Sequence, residues 1–132
     1  MFFVYFTIKG DSLDLNQIRE DIPLDAKIYE KGKVYHGLNK RLAHKPQKTN
    51  RWCYYLEAGS HKSINAVLKQ MYEELKPHLK NLQQYTKKYH SLIDVVIYVE
   101  EITARFNLQL SKKSIEILNR INSKVSITFV DF

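Results

Sequence analysis

The residues of this chain that could do chemistry are few, and the largest group of them is cationic. Between positions 31 and 51 the sequence has no aspartate or glutamate and seven cationic residues, namely Lys31, Lys33, Lys40, Arg41, Lys45, Lys48 and Arg51. The whole chain has 21 Lys and Arg against 14 Asp and Glu, so the formal net charge of +7 equals the charge of this one segment. We call residues 31–51 the basic segment, and its charge asymmetry predicts an acidic ligand.

Two tyrosines, Tyr35 and Tyr55, lie within or close to the basic segment and could add flat contact surface. We expect the basic segment to form a loop that engages an acidic protein partner, by analogy with immunity proteins, which act by occlusion. Sequence-independent binding of nucleic acid is the alternative, because cationic side chains contact phosphates and aromatic rings stack on bases. A solvated loop whose charge only aids solubility is the third interpretation.

The remaining polar residues do not form a catalytic or metal-binding pattern. The five histidines, at positions 36, 44, 61, 78 and 90, lack the close spacing of metal ligands. The single cysteine, Cys53, is flanked by aromatic residues as a packing thiol would be, and Asp11 and Asp14 are explained by a turn and a helix cap. The sequence therefore predicts a binding domain without catalytic residues, metal or cofactor.

The composition limits the class of protein. Hydrophobic residues make up 44% of the chain and charged residues 27%, which is typical of a globular domain. A lone cysteine cannot form an intramolecular disulfide, and no apolar run reaches the ~18–20 residues that cross a bilayer. We expect one domain over residues 1–132, in a cytoplasmic protein without a membrane partner, and the sequence leaves its oligomeric state open.

Hydrophobic periodicity predicts the elements that must position the basic segment. Period-two alternation predicts six strands, at about 2–8, 26–30, 51–57, 93–99, 106–110 and 125–129, of which the fourth and fifth form a hairpin. Asp14, Ser60 and Ser111 are predicted to cap three helices, and Pro77 to divide the second of these, which continues to about Tyr89.

These elements predict an α+β fold, with helices on one face of a largely antiparallel sheet. Apolar residues near the N-terminus recur one hundred positions later, as Phe6 and Ile8 do in Phe106 and Leu108, so both ends of the chain read strand, helix, strand. Two such units that share one sheet would give a split βαβ, ferredoxin-like arrangement.

The order of several segments also resembles a known family. They are the opening YFTIKGDSLDLNQIREDI, the step Lys31-Gly32, the strand RWCYYLEAG, the long second helix, and the ending FNLQLSKKSIEILNRINSKVSITFV. From about Val4 to Phe129 the chain resembles the mostly bacterial, uncharacterised DUF4279 family. The resemblance implies an α+β domain and supplies no activity or catalytic residues.

Overall fold

A computed structural model of the chain describes residues 2–35, 45–59, 62–98 and 109–130. The strands in these residues are β1 (Phe2–Gly10), β2 (Lys27–Tyr29), β3 (Asn50–Ala58), β4 (His90–Tyr98) and β5 (Lys124–Val130). The helices are α1 (Leu15–Asp21), α2 (Ile64–Leu75), α3 (Leu79–Lys88) and α4 (Lys112–Ile121), and a single 3-10 turn, Lys76–His78, joins α2 to α3. The fold is α+β, as the sequence predicts.

The five strands form one sheet in the order β2-β3-β1-β4-β5. The first three neighbouring pairs are antiparallel, whereas β4 and β5 are parallel. It follows that β1 and β2 run parallel with β3 between them, and that β3 and β4 run parallel with β1 between them. These are two interleaved split βαβ units, so the first four strands have the ferredoxin-like arrangement.

The second split unit differs from the predicted one. It consists of β3, α2 with α3, and β4, whereas β4, α4 and β5 form an ordinary unit of two adjacent parallel strands. The described residues contain five strands and not six, and β4 pairs with β1 and β5. Most of the predicted strand at 106–110 lies outside the described residues, and positions 109 and 110 are not in a strand.

The core lies between one face of the sheet and the helices. Phe2, Val4, Phe6 and Ile8 of β1 are all buried on that face, as their alternation predicts. Across the sheet in register lie Trp52 and Tyr54 of β3, and Ile93, Val95 and Ile97 of β4. Buried residues of all four helices belong to the same apolar cluster. The helices therefore cover one face of the sheet and leave the opposite face to other uses.

Local signals set the helix boundaries. The Asp14 carboxylate accepts hydrogen bonds from the backbone N–H groups of residues 16 and 17, and Ser111 caps α4, both as predicted. The predicted cap of α2 is wrong, because α2 begins at Ile64 and Ser63 caps it, whereas Ser60 lies outside the described residues. Pro77 lies in the 3-10 turn that separates α2 from α3.

Within the ranges that the structure describes, no helix has the length and apolar character needed to cross a membrane.

Candidate anion-binding face of the sheet

The face of the sheet opposite the helices carries the candidate site, and we call it the open face. Alternation within each strand selects its members, because a side chain that points away from the helices is followed by one that points toward them. The registers place the following residues there: Phe3, Tyr5, Thr7 and Lys9 of β1; Lys27 and Tyr29 of β2; Arg51, Cys53, Tyr55 and Glu57 of β3; His90, Leu92, Asp94 and Val96 of β4.

One end of the open face carries a row of cationic and aromatic groups from four strands. Lys9 on β1 lies opposite Arg51 on β3 and His90 on β4, and Tyr29 on β2 lies opposite Arg51 on its other side. Directly opposed side chains on neighbouring strands have Cβ atoms about 4.5–5.5 Å apart. We call Lys9, Arg51, His90 and Tyr29 the cationic row. Among the described residues no carboxylate forms an ion pair with it.

Arg51 is the member of the cationic row whose side chain has a buried donor atom. Its Nε atom is buried and has no hydrogen-bond partner within the described part of the chain. Burial, followed by a Coulombic contribution from Cys53, raises the pKa of Tyr29, and the positive charge of Arg51 opposes that shift. The Tyr29 hydroxyl therefore stays protonated at neutral pH and can donate a hydrogen bond beside the guanidinium.

Aromatic rings occupy the centre of the open face. The rings of Phe3 and Tyr5 stack with centroids 5.9 Å apart, and the Tyr5 ring lies 5.7 Å from that of Tyr55. Lys27 Nζ lies 5.1 Å from the centroid of the Tyr55 ring, within cation–π range. Tyr55 is 36% exposed, so part of its ring remains accessible to a ligand.

The remaining charges of the open face lie away from the cationic row. Asp94 Oδ1 accepts hydrogen bonds from the hydroxyls of Ser126 and Thr128 on β5, at 2.8 and 2.9 Å. Glu57 lies opposite Phe3, six residues along β3 from Arg51. Both carboxylates are therefore too far along the strands to neutralise the opposed Lys9 and Arg51 directly.

The predicted basic segment divides among different environments. Lys31 Nζ lies 3.4 Å from the Asp11 carboxylate, and Lys33 Nζ lies 3.0 Å from the Glu30 carboxylate. Both pairs are solvent-exposed and contribute little stability. A hydrogen bond to Glu30, together with its negative charge, raises the pKa of Lys33. These two lysines are therefore partly neutralised, which the count of charges in the basic segment does not show.

Backbone hydrogen bonds join the beginning of the basic segment to residues near its end. Gly32 N–H donates to the carbonyl of Gln47, and Gln47 N–H donates to the carbonyl of Lys33, both at 2.9 Å. Gly32 has φ = +85°, a conformation that glycine adopts without strain. Gln47 also lines a cleft on the open face, as Arg51 does, and Lys45 and Lys48 lie within two residues of Gln47 in the sequence.

The other predicted site residues have different positions. Lys45 and Lys48 are exposed and form no ion pair with another described residue. Tyr35 folds back onto the end of β2, where its hydroxyl accepts a hydrogen bond from Glu30 N–H at 2.7 Å and its ring meets that of Tyr29 at 5.0 Å. The predictions for Lys40 and Arg41 lie outside the described residues.

The surroundings of Cys53 and the possible metal ligands among the described residues bear on catalytic chemistry. Burial raises the pKa of the Cys53 thiol above its ordinary value of 9.0, and the hydrogen bond from the Thr7 hydroxyl and the positive charges of Arg51 and Lys27 oppose that shift. A thiol of this kind is a weak nucleophile at neutral pH. The described residues contain no group of three or more His, Cys, Asp or Glu that could hold a metal ion.

Sequence reasoning missed Lys9, Lys27, Tyr29 and His90 as members of the site. A signal for Lys9 existed, because the alternation of β1 places it on the face opposite the core. That signal could not show that Lys9 faces Arg51, since the pairing of β1 with β3 joins residues more than forty positions apart. The register of the sheet was therefore the missing information.

Comparison with known proteins returns one match. A family model described as a domain of unknown function, DUF4279, matches residues 1–131. No curated protein and no solved structure matches the chain.

Proposed function

The chain belongs to the DUF4279 family, whose description names no activity, and we propose from the geometry that it is a binding domain for an acidic segment of a protein partner. The contact surface is the cationic end of the open face together with the adjoining base of the basic segment. The partner's carboxylates would meet Lys45 and Lys48 at the border and Arg51 inside the cleft. In this proposal the domain acts by occupying its partner and carries out no reaction.

One observation carries the proposal, namely the collection of unpaired cations at one end of the sheet. Lys9 and Arg51 face each other in register, and Lys45 and Lys48 lie within two residues of Gln47, which lines the same cleft as Arg51. Charges of one sign on a concave surface raise the local concentration of an oppositely charged ligand and speed its association.

The limited extent of this positive surface favours a short acidic segment over a long polyanion. The cationic row spans four strands, which at about 4.8 Å per strand is roughly 15 Å. Beyond it along the strands lie Asp94 and Glu57, and their negative charges would oppose a phosphate backbone that ran the length of the sheet. A few carboxylates are enough to match the cations present.

The aromatic rings support single-stranded nucleic acid as a second candidate ligand. Phe3, Tyr5 and Tyr55 lie on the open face of the two central strands, β1 and β3. In the ferredoxin-like RNA-recognition module, aromatic residues of the sheet stack on two or three unpaired bases. Such stacking is worth about 1–3 kcal/mol per base, so Tyr55 would matter greatly to a nucleic acid and little to an acidic peptide.

Fluorescence polarisation with two labelled probes, a glutamate-rich peptide and oligothymidine, tests the proposal. We expect the native domain to bind the peptide, and Lys45→Gln/Lys48→Gln to weaken that binding about three- to tenfold, because each exposed charge contributes up to about 1 kcal/mol. Lys76→Gln/Lys80→Gln is the matched control, since it removes the same charge from exposed positions in the helical layer. Tyr55→Ala should leave peptide binding nearly unchanged.

Two results would contradict the acidic-partner proposal. The first is salt-sensitive retention of oligothymidine that Tyr55→Ala abolishes, without measurable peptide binding; this result supports the nucleic-acid candidate. The second is equal loss of peptide affinity in the control and test variants, because that would show a dependence on net charge and not on this surface. Measurements at about 50 and 200 mM salt test whether oligothymidine binds through its phosphates, since phosphate contacts weaken steeply over this range.

A further inference from the structure

The open face contains a cleft that suits a small molecule. It has a volume of about 340 Å³, which lies within the ~300–1,000 Å³ of typical ligand sites. Side chains of β1, β3 and β4 form its floor, and Tyr29 and Gln47 stand at its border. The cleft is thus built mostly on paired strands, which hold their side chains in fixed relative positions.

The cationic row forms one end of this cleft. Lys9, Arg51 and His90 all line it. Like charges directly opposite each other on neighbouring strands are destabilising, and Lys9 and Arg51 are such a pair. An anion placed between them would replace this repulsion with two attractive contacts, so this pairing favours binding of a negative group.

Arg51 adds a specific requirement for the bound group. A buried donor without an acceptor costs free energy, and Arg51 Nε is such a donor within the described part of the chain. The guanidinium donates in parallel from a planar fork, which matches two oxygens of a carboxylate or a phosphate. Tyr29, which lies opposite Arg51, supplies a further hydroxyl donor.

Beyond the cationic row, Tyr5, Leu92 and Val96 give the cleft an apolar wall, and Cys53 contributes a protonated, weakly polar thiol. The polar residues there are Thr7 and Asp94, and Asp94 Oδ1 already accepts hydrogen bonds from Ser126 and Thr128 on β5. The Asp94 carboxylate repels a second negative group, so the oxyanion belongs at the Arg51 end of the cleft. A ligand that is charged throughout would lose hydration along these walls without compensation. The cleft therefore suits an apolar body joined to a single oxyanion.

We propose that this cleft binds a small aromatic or apolar molecule that carries one carboxylate or phosphate, with the oxyanion held between Arg51 and Lys9. This site shares the open face with the proposed function and does not depend on an acidic protein partner. Carboxylate and phosphate have the same recognition chemistry here, and the choice between them is a matter for the experiment.

Isothermal titration calorimetry with phenyl phosphate, benzoate and neutral benzyl alcohol tests the proposal on the intact domain. We expect saturable binding of at least one of the two anions and no measurable binding of the alcohol. Backbone amide chemical shifts should change around Lys9, Arg51 and Leu92. Whichever anion binds more tightly identifies the oxyanion that the site prefers.

Substitutions then connect the binding to the cationic row. Arg51→Gln should weaken anion binding by about tenfold or more, because a charge-assisted hydrogen bond is lost. Lys9→Gln is a second variant with the same expectation, in case the first does not fold. Lys27→Gln is the matched control, because Lys27 lies on the open face but does not line the cleft. It should bind the anion as the native domain does.

Thermal melting separates a binding role from a structural one. Because Arg51→Gln and Lys9→Gln each relieve the repulsion between the two residues, neither should melt below the native domain. The anion should raise the melting temperature of the native domain and of Lys27→Gln more than that of Arg51→Gln or Lys9→Gln. Equal binding of benzyl alcohol, unchanged anion affinity in both variants, or shift changes confined to another surface would each overturn the proposal. If Lys45→Gln/Lys48→Gln loses glutamate-peptide binding but keeps anion binding, the small-molecule site is supported independently of the acidic-partner proposal.

Discussion

Arg51 and Cys53 lie two residues apart on β3 and face the same side of the sheet, but Arg51 is charged and Cys53 is neutral. Arg51 is always protonated in proteins, so its environment must supply an anion or tolerate the charge. Cys53 is only 8% exposed and burial raises the pKa of its thiol, which keeps it neutral. The neutral thiol therefore does not neutralise the cation beside it.

The reactivity of Cys53 follows from this raised pKa. We expect modification by a disulfide reagent at pH 8 to be much slower in the native domain than in guanidinium, because both the accessible area and the thiolate fraction are small. The rate should rise with an inflection above pH 9. The folded pKa lies above the unfolded one, so the thiol favours the folded state below the unfolded pKa and this contribution is lost as pH rises through the folded pKa. An inflection below pH 8 would contradict the burial argument.

Trp52 is a core residue, with 1% of its surface exposed. Its ring meets Phe6 edge-on at 6.0 Å and stacks with Tyr54 at 6.4 Å. Trp52→Ala should lower the free energy of unfolding by about 3–5 kcal/mol, because it leaves a large cavity. Denaturant unfolding followed by circular dichroism measures this, since the variant lacks the chain's single tryptophan. Tyr55→Ala, on the open face of the same strand, is the control and should cost less.

At the scale of elements, the side chain of Asn65 connects α2 to the start of α4. Asn65 on α2 donates to the carbonyl of Gln109 at 3.0 Å. Its Oδ1 accepts from Ser111 N–H at 2.9 Å and from the Ser114 hydroxyl at 2.7 Å. Ser111 is itself the N-cap of α4, so Asn65 positions the start of that helix and thereby the crossover to β5.

Loss of these contacts should weaken the attachment of α4. We expect Asn65→Ala to lower the free energy of unfolding by about 1–3 kcal/mol, because the hydroxyl of the buried Ser114 loses its acceptor and two exposed hydrogen bonds are lost with it. Hydrogen exchange should become faster in the first turn of α4 and stay unchanged in β1. Gln84→Ala, at an exposed position of α3, is the control and should change stability by less than about 0.5 kcal/mol. Equal exchange in both variants would show that α4 is held by its apolar contacts alone.

At the scale of the whole molecule, the excess charge of +7 is concentrated and partly unpaired. The chain therefore stores electrostatic repulsion that dissolved salt should screen. We expect the melting temperature to rise by a few degrees between about 10 and 150 mM sodium chloride, since 1 kcal/mol corresponds to roughly 3–6 °C for a domain of this size.

The opposed pair on the cationic row should account for part of this salt effect. Arg51→Gln should therefore show a smaller rise than the native domain, and Lys76→Gln should show nearly the native rise. The exposed pairs of Lys31 with Asp11 and of Lys33 with Glu30 weaken in salt and act in the opposite direction, but exposed pairs contribute little. A melting temperature that fell with salt would contradict the dominance of repulsion.

The sequence by itself determined the elements and their inward faces. The alternation of Phe2, Val4, Phe6 and Ile8 and the helical spacing in α2 depend on neighbours a few residues apart, and their burial follows from the hydrophobic effect. The same local rules identified the basic segment by its composition. They erred at the cap of α2, where Ser63 and Ser60 are chemically equivalent signals.

The tertiary structure decided which charges meet. Lys9, Arg51 and His90 come from three strands that are far apart in the chain, and only the strand order and register bring them into one row. It likewise decided that Lys31 pairs with Asp11, whereas Arg51 finds no carboxylate among the described residues. The physical reason is that pairing across a sheet depends on long-range contacts, which local periodicity does not encode.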